Sequence, residues 1–354
     1  MSSPHVYIHL LTWNDRRYLP DLFESFQEQT YADFTVRILD NGSTDDTLAY
    51  LQQHFPKTLV SRNVKNAGFA EGHNQLIRYT LDHLPVEQED SALILLMNSD
   101  MILSPTLVEE LVKAVQESEG IVGGFQPKLY RAFAQHVGDE LLEETVQSDI
   151  LDTTGLNVSR SWRMSDRGAG EMDQGQYDDQ RDIFAPSGAI ALYPVSVVKT
   201  LLYEGEFFDK HFFAYREDCD LAWRFRKLGW QARFIPTAVA YHYRGMYGAE
   251  NRSLWQRLVN RKGQRPFFAA LATRNQLFVL MKNLTIGDLL LSFPWIVFHE
   301  TGRVLYGLFF EPQTRKRLLQ MWSLVPEMLR RRAVIKQSAV APESELRTYI
   351  HTRT

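Results

Sequence analysis

The first half of the chain alternates short apolar runs with helical patterns, and this rhythm restricts the fold more than any other feature of its 354 residues. Val6–Thr12, Thr35–Leu39, Thr58–Ser61, Ala92–Met97 and Ile121–Phe125 have the length and character of strands. Between them, 20–29, 45–54, 70–83 and 105–117 repeat apolar residues at helical spacing. Strands alternating with helices of this length need crossover connections, so the expected class is α/β with a mostly parallel sheet. Ligands of such sheets sit beyond the carboxyl ends of the strands. The segments found there are Thr12-Trp13-Asn14-Asp15, the D-N-G-S-T-D run from Asp40 to Asp45, the loop from Asn63 to Ala70, and Asn98-Ser99-Asp100. Each alone reads as a turn with a helix cap. Four delivered to one sheet edge read better as a binding site.

The stretch 140–181 is polar and rich in Gly and Asp, and reads as a long loop or irregular insertion over the site. Gly168-Ala169-Gly170 is no dinucleotide fingerprint, because Asp173 occupies the third glycine position and no apolar strand precedes it. A strand over Ile190–Tyr193 and a helix over 195–203 come next. Phe213–Gly229 then reads F-A-Y-R-E-D-C-D-L-A-W-R-F-R-K-L-G. Glu217, Asp218 and Asp220 open a helix whose apolar face is Leu221, Phe225 and Leu228, and Gly229 stands where a helix ends. A carboxylate at a helix N-terminus is held ionised by the macrodipole and can serve as a general base. A capped surface helix has the same signature. Strands near 232–235 and 238–243 follow, with His242 near the end of the second; a lone His there is most simply a hydrogen-bonded structural residue.

A single cysteine, Cys219, excludes an internal disulfide framework and a cysteine-based zinc site. The start, M-S-S-P-H-V-Y-I-H-L-L, lacks the basic residues and longer apolar core of a signal peptide and reads as a first strand. The net charge of -4 hides an asymmetry: 251–354 carries a net +11 and the first 250 residues a net -15. Such a split suggests a cation-using body joined to a segment that meets anions.

Four motifs together resemble the family 2 glycosyltransferases, an inverting group with the GT-A fold, and especially their rhamnosyltransferase-like branch. They are I-L-D-N-G-S-T-D-D-T (38–47), N-A-G-F-A-E-G-H-N (66–74), L-L-M-N-S-D (95–100) and F-F-D-K-H-F-F-A-Y-R-E-D-C-D-L-A-W-R-F-R-K-L-G-W (207–230), followed by the His of A-Y-H-Y. The resemblance covers about 5–245. It implies a Rossmann-like, mostly parallel central sheet flanked by helices, with a C-terminal helical extension. It also implies that Asp40 binds the nucleotide, with Thr12 lining the same pocket, and that Asn66, Gly68, Phe69 and Asn74 shape the nucleotide and sugar side. Asp100 closes a D-x-D-like metal motif whose first position is Asn98, and His242 completes the metal site. Asp218 is the implied base, with Glu217 as its neighbour or an acceptor contact. The cofactor is then a divalent cation, Mg²⁺ or Mn²⁺. The partners are a nucleotide-diphosphate sugar, first of all dTDP-L-rhamnose, and a glycan or lipid-linked acceptor. A donor such as UDP-galactofuranose or a UDP-hexose is the alternative within the fold, and a non-catalytic sugar-nucleotide or glycan-binding subunit the alternative outside catalysis. Similar sequences often carry Arg where this chain has Pro194, so a phosphate contact from Arg181 or Arg244 is expected instead.

On this reading 1–248 is the catalytic domain, 249–340 a basic helical region and 341–354 a flexible tail. Ile286–Phe298 and Val304–Phe310 are the most apolar stretches, yet shorter than the ~20 residues of a membrane span. With T-R-K-R-L-L (314–319) and L-R-R-R (329–332) beside them, they suit an anionic membrane surface or a contact between copies of the chain. No recognition motif points to nucleic acid. The expected location is cytoplasmic, peripheral on the inner face of the plasma membrane.

Overall fold

The computed structural model describes residues 3–118, 120–136, 143–243 and 266–351. Its elements are β1 (Val6–Thr12), α1 (Leu19–Gln27), β2 (Phe34–Asp40), α2 (Thr47–His54), β3 (Leu59–Arg62), α3 (Phe69–Asp82), β4 (Leu93–Asn98), β5 (Met101–Leu103) and α4 (Leu107–Gln116). They continue with β6 (Val122–His136), β7 (Glu143–Thr153), β8 (Leu156–Val158), β9 (Met164–Asp166), β10 (Asp182–Ile183), β11 (Ile190–Pro194), α5 (Val195–Leu201), α6 (Glu217–Lys227) and β12 (Gln231–Tyr243). The C-terminal helices are α7 (Pro266–Asn283), α8 (Ile286–Phe310), α9 (Pro312–Met321), α10 (Val325–Ser338) and α11 (Glu343–His351).

Two compact units share the chain. One draws on Met1–Leu156, Asp166–Phe207 and Gln231–Ala249, the other on Asn157–Ser165, Phe208–Trp230 and Glu250–Thr354. The first holds a ten-stranded sheet in the order β10-β12-β6-β11-β4-β1-β2-β3, with β5 on β12 and β7 on β6. The expected α/β class holds, but the parallel character is confined. β3, β2, β1 and β4 run parallel, as do β6 and β12, whereas β11 is antiparallel to both β4 and β6. An apolar run marks a strand and says nothing of its direction, so the mixed half of the sheet is invisible to periodicity. β1 is buried on both faces, as a central parallel strand requires. Val6, Ile8 and Leu10 join Leu19 and Phe23 of α1 and Leu107 of α4 in one core. On the opposite face a Cβ at Gly72 of α3 would meet the end of the Leu11 side chain at 2.5 Å, so any larger residue here must displace that side chain.

Three readings are revised here. The stretch 140–181, read as a long loop or irregular insertion, contains β7, β8 and β9 in its described part, and β7 extends the sheet beside β6. On β7, Val146, Gln147 and Asp149 are exposed, whereas Leu151, Asp152 and Thr153 at its end are buried. Second, the two apolar stretches 286–298 and 304–310 belong to one continuous helix, α8, which runs through Pro294. Of the stretch read as a tail, 343–351 is helical, with Leu346 and Ile350 buried. The proposed boundary at 248 and Arg244 lie outside the described residues.

Candidate active site

The first unit gathers the predicted strand-end residues along one edge. Thr12 pairs with Asp40 across β1 and β2, Asp40 with Arg62 across β2 and β3, and Leu11 with Asn98 across β1 and β4. Asp40 is fully buried, its Oδ1 accepts from the Ser43 amide at 3.1 Å, and the Arg62 Nε lies 3.2 Å from its Oδ2. The Thr12 hydroxyl is buried beside it without a hydrogen-bond partner among the described residues. Asn41 fastens the next loop: its Oδ1 accepts from Asn63 Nδ2 and the Ala67 amide, and its Nδ2 donates to Asn66 Oδ1 and the Gly68 carbonyl. Asn66 in turn accepts from the Gly68 amide at 2.8 Å. Gly42 has φ +79°, and a Cβ there would lie 2.9 Å from the Lys65 backbone, so the two loops touch only because this residue is glycine. Phe69 opens α3 and packs its ring on His73, centroids 4.4 Å apart. Asn74 is placed differently from the other nucleotide-side candidates: it is buried and its Oδ1 accepts from the Phe207 amide.

Asp15 and Ser99 were not foreseen as a pair. The Asp15 Oδ2 accepts from Ser99 Oγ at 2.5 Å and from the Trp13 amide at 2.8 Å, joining the β1 loop to the N-S-D segment. Burial pushes the Asp15 carboxyl up to about 6, against the pull of these two donors. The Asn14 side chain, at a residue with φ +60°, accepts from the Thr44 and Asp45 amides and closes the same corner.

Asp100 and His242 meet across β5 and β12, where the Tyr243 amide donates to the Asp100 carbonyl. His242 Nε2 lies 3.1 Å from Asp100 Oδ1 and 3.5 Å from Asn98 Nδ2. Its Nδ1 lies 2.8 Å from Asp152 Oδ2 on β7. Burial opposes a charge on His242, but Asp100 and then Asp152 outweigh it and its pKa rises to about 10. Asp152 was missed because it falls in the segment read as a loop; the apolar spacing in S-D-I-L-D-T was the available signal. The donor set of carboxylate oxygen, imidazole nitrogen and amide suits a divalent cation of the Mn²⁺ type, and a carboxylate behind the imidazole is the usual second support of such a ligand. Among the described residues no third His, Cys, Asp or Glu completes a cage, so other ligand positions would fall to substrate and water. Arg181, the expected phosphate contact, is exposed beside β10 at the far edge of the sheet.

The second unit holds the acidic helix. Its three first-turn carboxylates have three different environments. Asp220 is fully buried and bonded to Lys282 Nζ at 2.6 Å and Asn283 Nδ2 at 3.0 Å. Glu217 is buried, and desolvation, reinforced by Asp218, pushes it up to about 8, so it is neutral at pH 7. Asp218 is the one left half-buried, its Oδ1 accepting from the Cys219 amide. The turn before α6 has positive φ at Phe213, Tyr215 and Arg216, none of them glycine. Such strain persists only when the surroundings impose it. Here α7 imposes it: Asn275 Nδ2 donates to the carbonyls of Phe212, Ala214 and Tyr215, and Arg274 to those of His211 and Phe212. Neither residue was foreseen, because an R-N pair inside a helical pattern has no signature.

Known proteins resemble this chain in sequence and in fold. A segment of 77 residues is 38% identical to chondroitin synthase of Escherichia coli, covering 21% of this chain and 11% of that one. A segment of 123 residues is 29% identical to the uncharacterized glycosyltransferase YfnE of Bacillus subtilis (strain 168), covering 33% and 29%. The aligned stretches thus span less than a third of either relative. Among solved structures, S. aureus TarS 1–349 superposes with a TM-score of 0.51 at 14% identity, over 92% of this chain and 81% of that one. GalNAc-T7 with UDP, GalNAc and Mn²⁺ gives 0.54 at 11%, over 79% and 48%. These likenesses establish the GT-A fold, a mixed central sheet flanked by helices with a helical C-terminal region. The model of "Glycosyl transferase family 2" matches residues 7–201, more than half of the chain, and the protein belongs to that family.

Proposed function

We propose that the chain is an inverting glycosyltransferase that moves a sugar from a nucleotide diphosphate to a hydroxyl of a glycan or lipid-linked acceptor. The observation that supports it most is the facing pair Asp100 and His242 on the strand-end edge that also holds Asp40. In this reading Asp40, with Thr12 and the 66–69 loop, binds the nucleotide. Asn74 acts one step back, by holding the Phe207 backbone. Asp100 and His242, with Asn98 beside them, hold a divalent cation, Mg²⁺ or Mn²⁺, which when bound neutralises charge on the diphosphate. Asp218 accepts the acceptor's hydroxyl proton as that oxygen bonds to the anomeric carbon. The bond from that carbon to the phosphate oxygen breaks in the same step, the nucleoside diphosphate leaves with the electron pair, and the configuration inverts. Neutral Glu217 cannot accept a proton near pH 7, which favours its neighbour as the base.

dTDP-L-rhamnose remains the first donor to try, on the motif resemblance. UDP-galactofuranose and UDP-hexoses form the second group, and TarS 1–349 in complex with UDP-GlcNAc (TM-score 0.50) is a reason to include the latter. The test is a thermal-shift and transfer panel of sugar nucleotides with Mn²⁺, Mg²⁺ and EDTA. One donor should stabilise the protein in a metal-dependent manner, and Asp100→Ala should remove the shift. Asp218→Asn should keep the shift and lose ~10²-fold or more in turnover. Donor binding that leaves Asp218→Asn fully active would remove Asp218 from its role, and no shift with any nucleotide would favour the non-catalytic reading.

A further inference from the structure

Helix α8 is inside out. Its buried stripe is mostly polar: Asp288, Ser292, Ile296, Glu300 and Gly307 follow one another at helical spacing. The charges in or beside that stripe are paired within the unit. Asp288 bonds to Arg347 at 2.7 Å, Glu300 forms an ion pair with Arg163 at 2.8 Å, and Arg303 donates to Thr273 Oγ1. The apolar residues point the other way. Ile286, Leu290 and Phe298 are each about three-quarters exposed, and so is Phe309 near the helix end. A helix facing water buries its apolar stripe and shows its polar one, and contiguous exposed apolar patches of this length mark an interaction surface.

The next helix names the partner. On α9, Thr314 and Leu318 are buried, while Arg315, Lys316 and Leu319 are exposed, with Trp322 following one turn on. Arg315, Leu319 and Trp322 are spaced four and three apart, so cation, aliphatic and indole share a face. No acidic residue lies on α9, and both acids of α8 are buried and paired. A second copy of the chain would therefore bring no anion from these helices to meet the cations. An anionic lipid surface offers both apolar depth and negative charge, and Trp suits its interface. No helix of the described residues is long and apolar enough to cross a membrane, which leaves α8 to lie in the interface.

We propose that the outward faces of α8 and α9 form a docking surface for an anionic lipid bilayer. The inference rests on these helices alone and is independent of the transferase reading. Its test is flotation of the full chain with phosphatidylcholine vesicles and with phosphatidylcholine/phosphatidylglycerol vesicles. The protein should float with the anionic vesicles, and less with the neutral ones or with added salt. Arg315→Gln with Lys316→Gln should lower partitioning into anionic vesicles by about twenty-five-fold, about fivefold per charge. Leu290→Glu with Phe298→Glu should abolish flotation without lowering the melting temperature, because both side chains are exposed. Absence of flotation, or equal flotation of the Leu290/Phe298 variant, overturns the proposal. So does a concentration-dependent dimer that this variant dissolves while the parent chain ignores vesicles; that result assigns the face to a second copy.

Discussion

Replacing Asn275 by Leu keeps the branching and the number of side-chain heavy atoms while removing every polar contact, which makes it a sharp probe of the strained turn before α6. Asn275 is fully buried and its Nδ2 donates to Phe212, Ala214 and Tyr215 carbonyls at 2.8, 3.0 and 2.7 Å. Arg274 also donates to the Phe212 carbonyl, so two acceptors, Ala214 and Tyr215, lose the donor described for them. At ~1–1.5 kcal/mol each, the variant should lose about 2–3 kcal/mol of stability. Three residues at positive φ, each costing ~1–3 kcal/mol, are then free to relax, and the first turn of α6 shifts with them. Since misplacing a reacting group by about 1 Å can cost ~10²-fold, turnover should fall by that order while donor binding persists. Urea unfolding followed by near-ultraviolet circular dichroism is a suitable assay, because Trp162 and Trp223 stack at 4.0 Å in the same unit. An unchanged midpoint together with unchanged turnover would refute the claim that Asn275 imposes the turn.

Three further outcomes are expected. Glu217 keeps its proton in the folded state up to about pH 8 but ionises near 4.5 when unfolded. The native state therefore binds the extra proton between those values, and stability falls with rising pH across that window, by up to ~1.4 kcal/mol per pH unit from this group. Glu217→Gln should flatten that part of the profile, and an identical profile would contradict the assignment. Asp152→Asn should weaken Mn²⁺ binding, measured by calorimetry, by roughly 10–100-fold by loosening His242; unaltered affinity would separate His242 from the cation. Gly42→Ala should cost about 2 kcal/mol or more, read from the urea midpoint, because it meets both an unfavourable φ and the Lys65 backbone.

Much of this was legible from periodicity. β1 spans Val6–Thr12 as expected, and the helices up to α4 lie within a few residues of their predicted spans. The strand-end residues fall on one edge because parallel strands point their carboxyl ends the same way. What stayed hidden depends on long-range pairing. Asp152 reaches His242 through a strand whose partner lies earlier in the chain, and the apolar spacing around it marks a strand without saying which residue it faces. The grip of Arg274 and Asn275 on residues some sixty positions away is equally silent. Of the carboxylates in E-D-C-D, the sequence could not tell the buried ion-pair member from the half-buried one. Lys282 makes that distinction, and it too lies on a distant helix.

The way the second unit is threaded affects when the chain can mature. Asp209, at the edge of the segment leading to α6, bonds to Lys282 and to Arg331. A nascent chain that has already exposed residues 208–230 must hold Asp209 and Asp220 without Lys282 until some fifty further residues have emerged, and Asp209 without Arg331 until about a hundred have. Cutting the chain near residue 250 would strand the acidic helix in that immature condition permanently. The basic C-terminal third is thus a scaffold on which the acidic helix is finished, and an expression strategy that shortens it should be expected to yield protein that cannot complete its own fold.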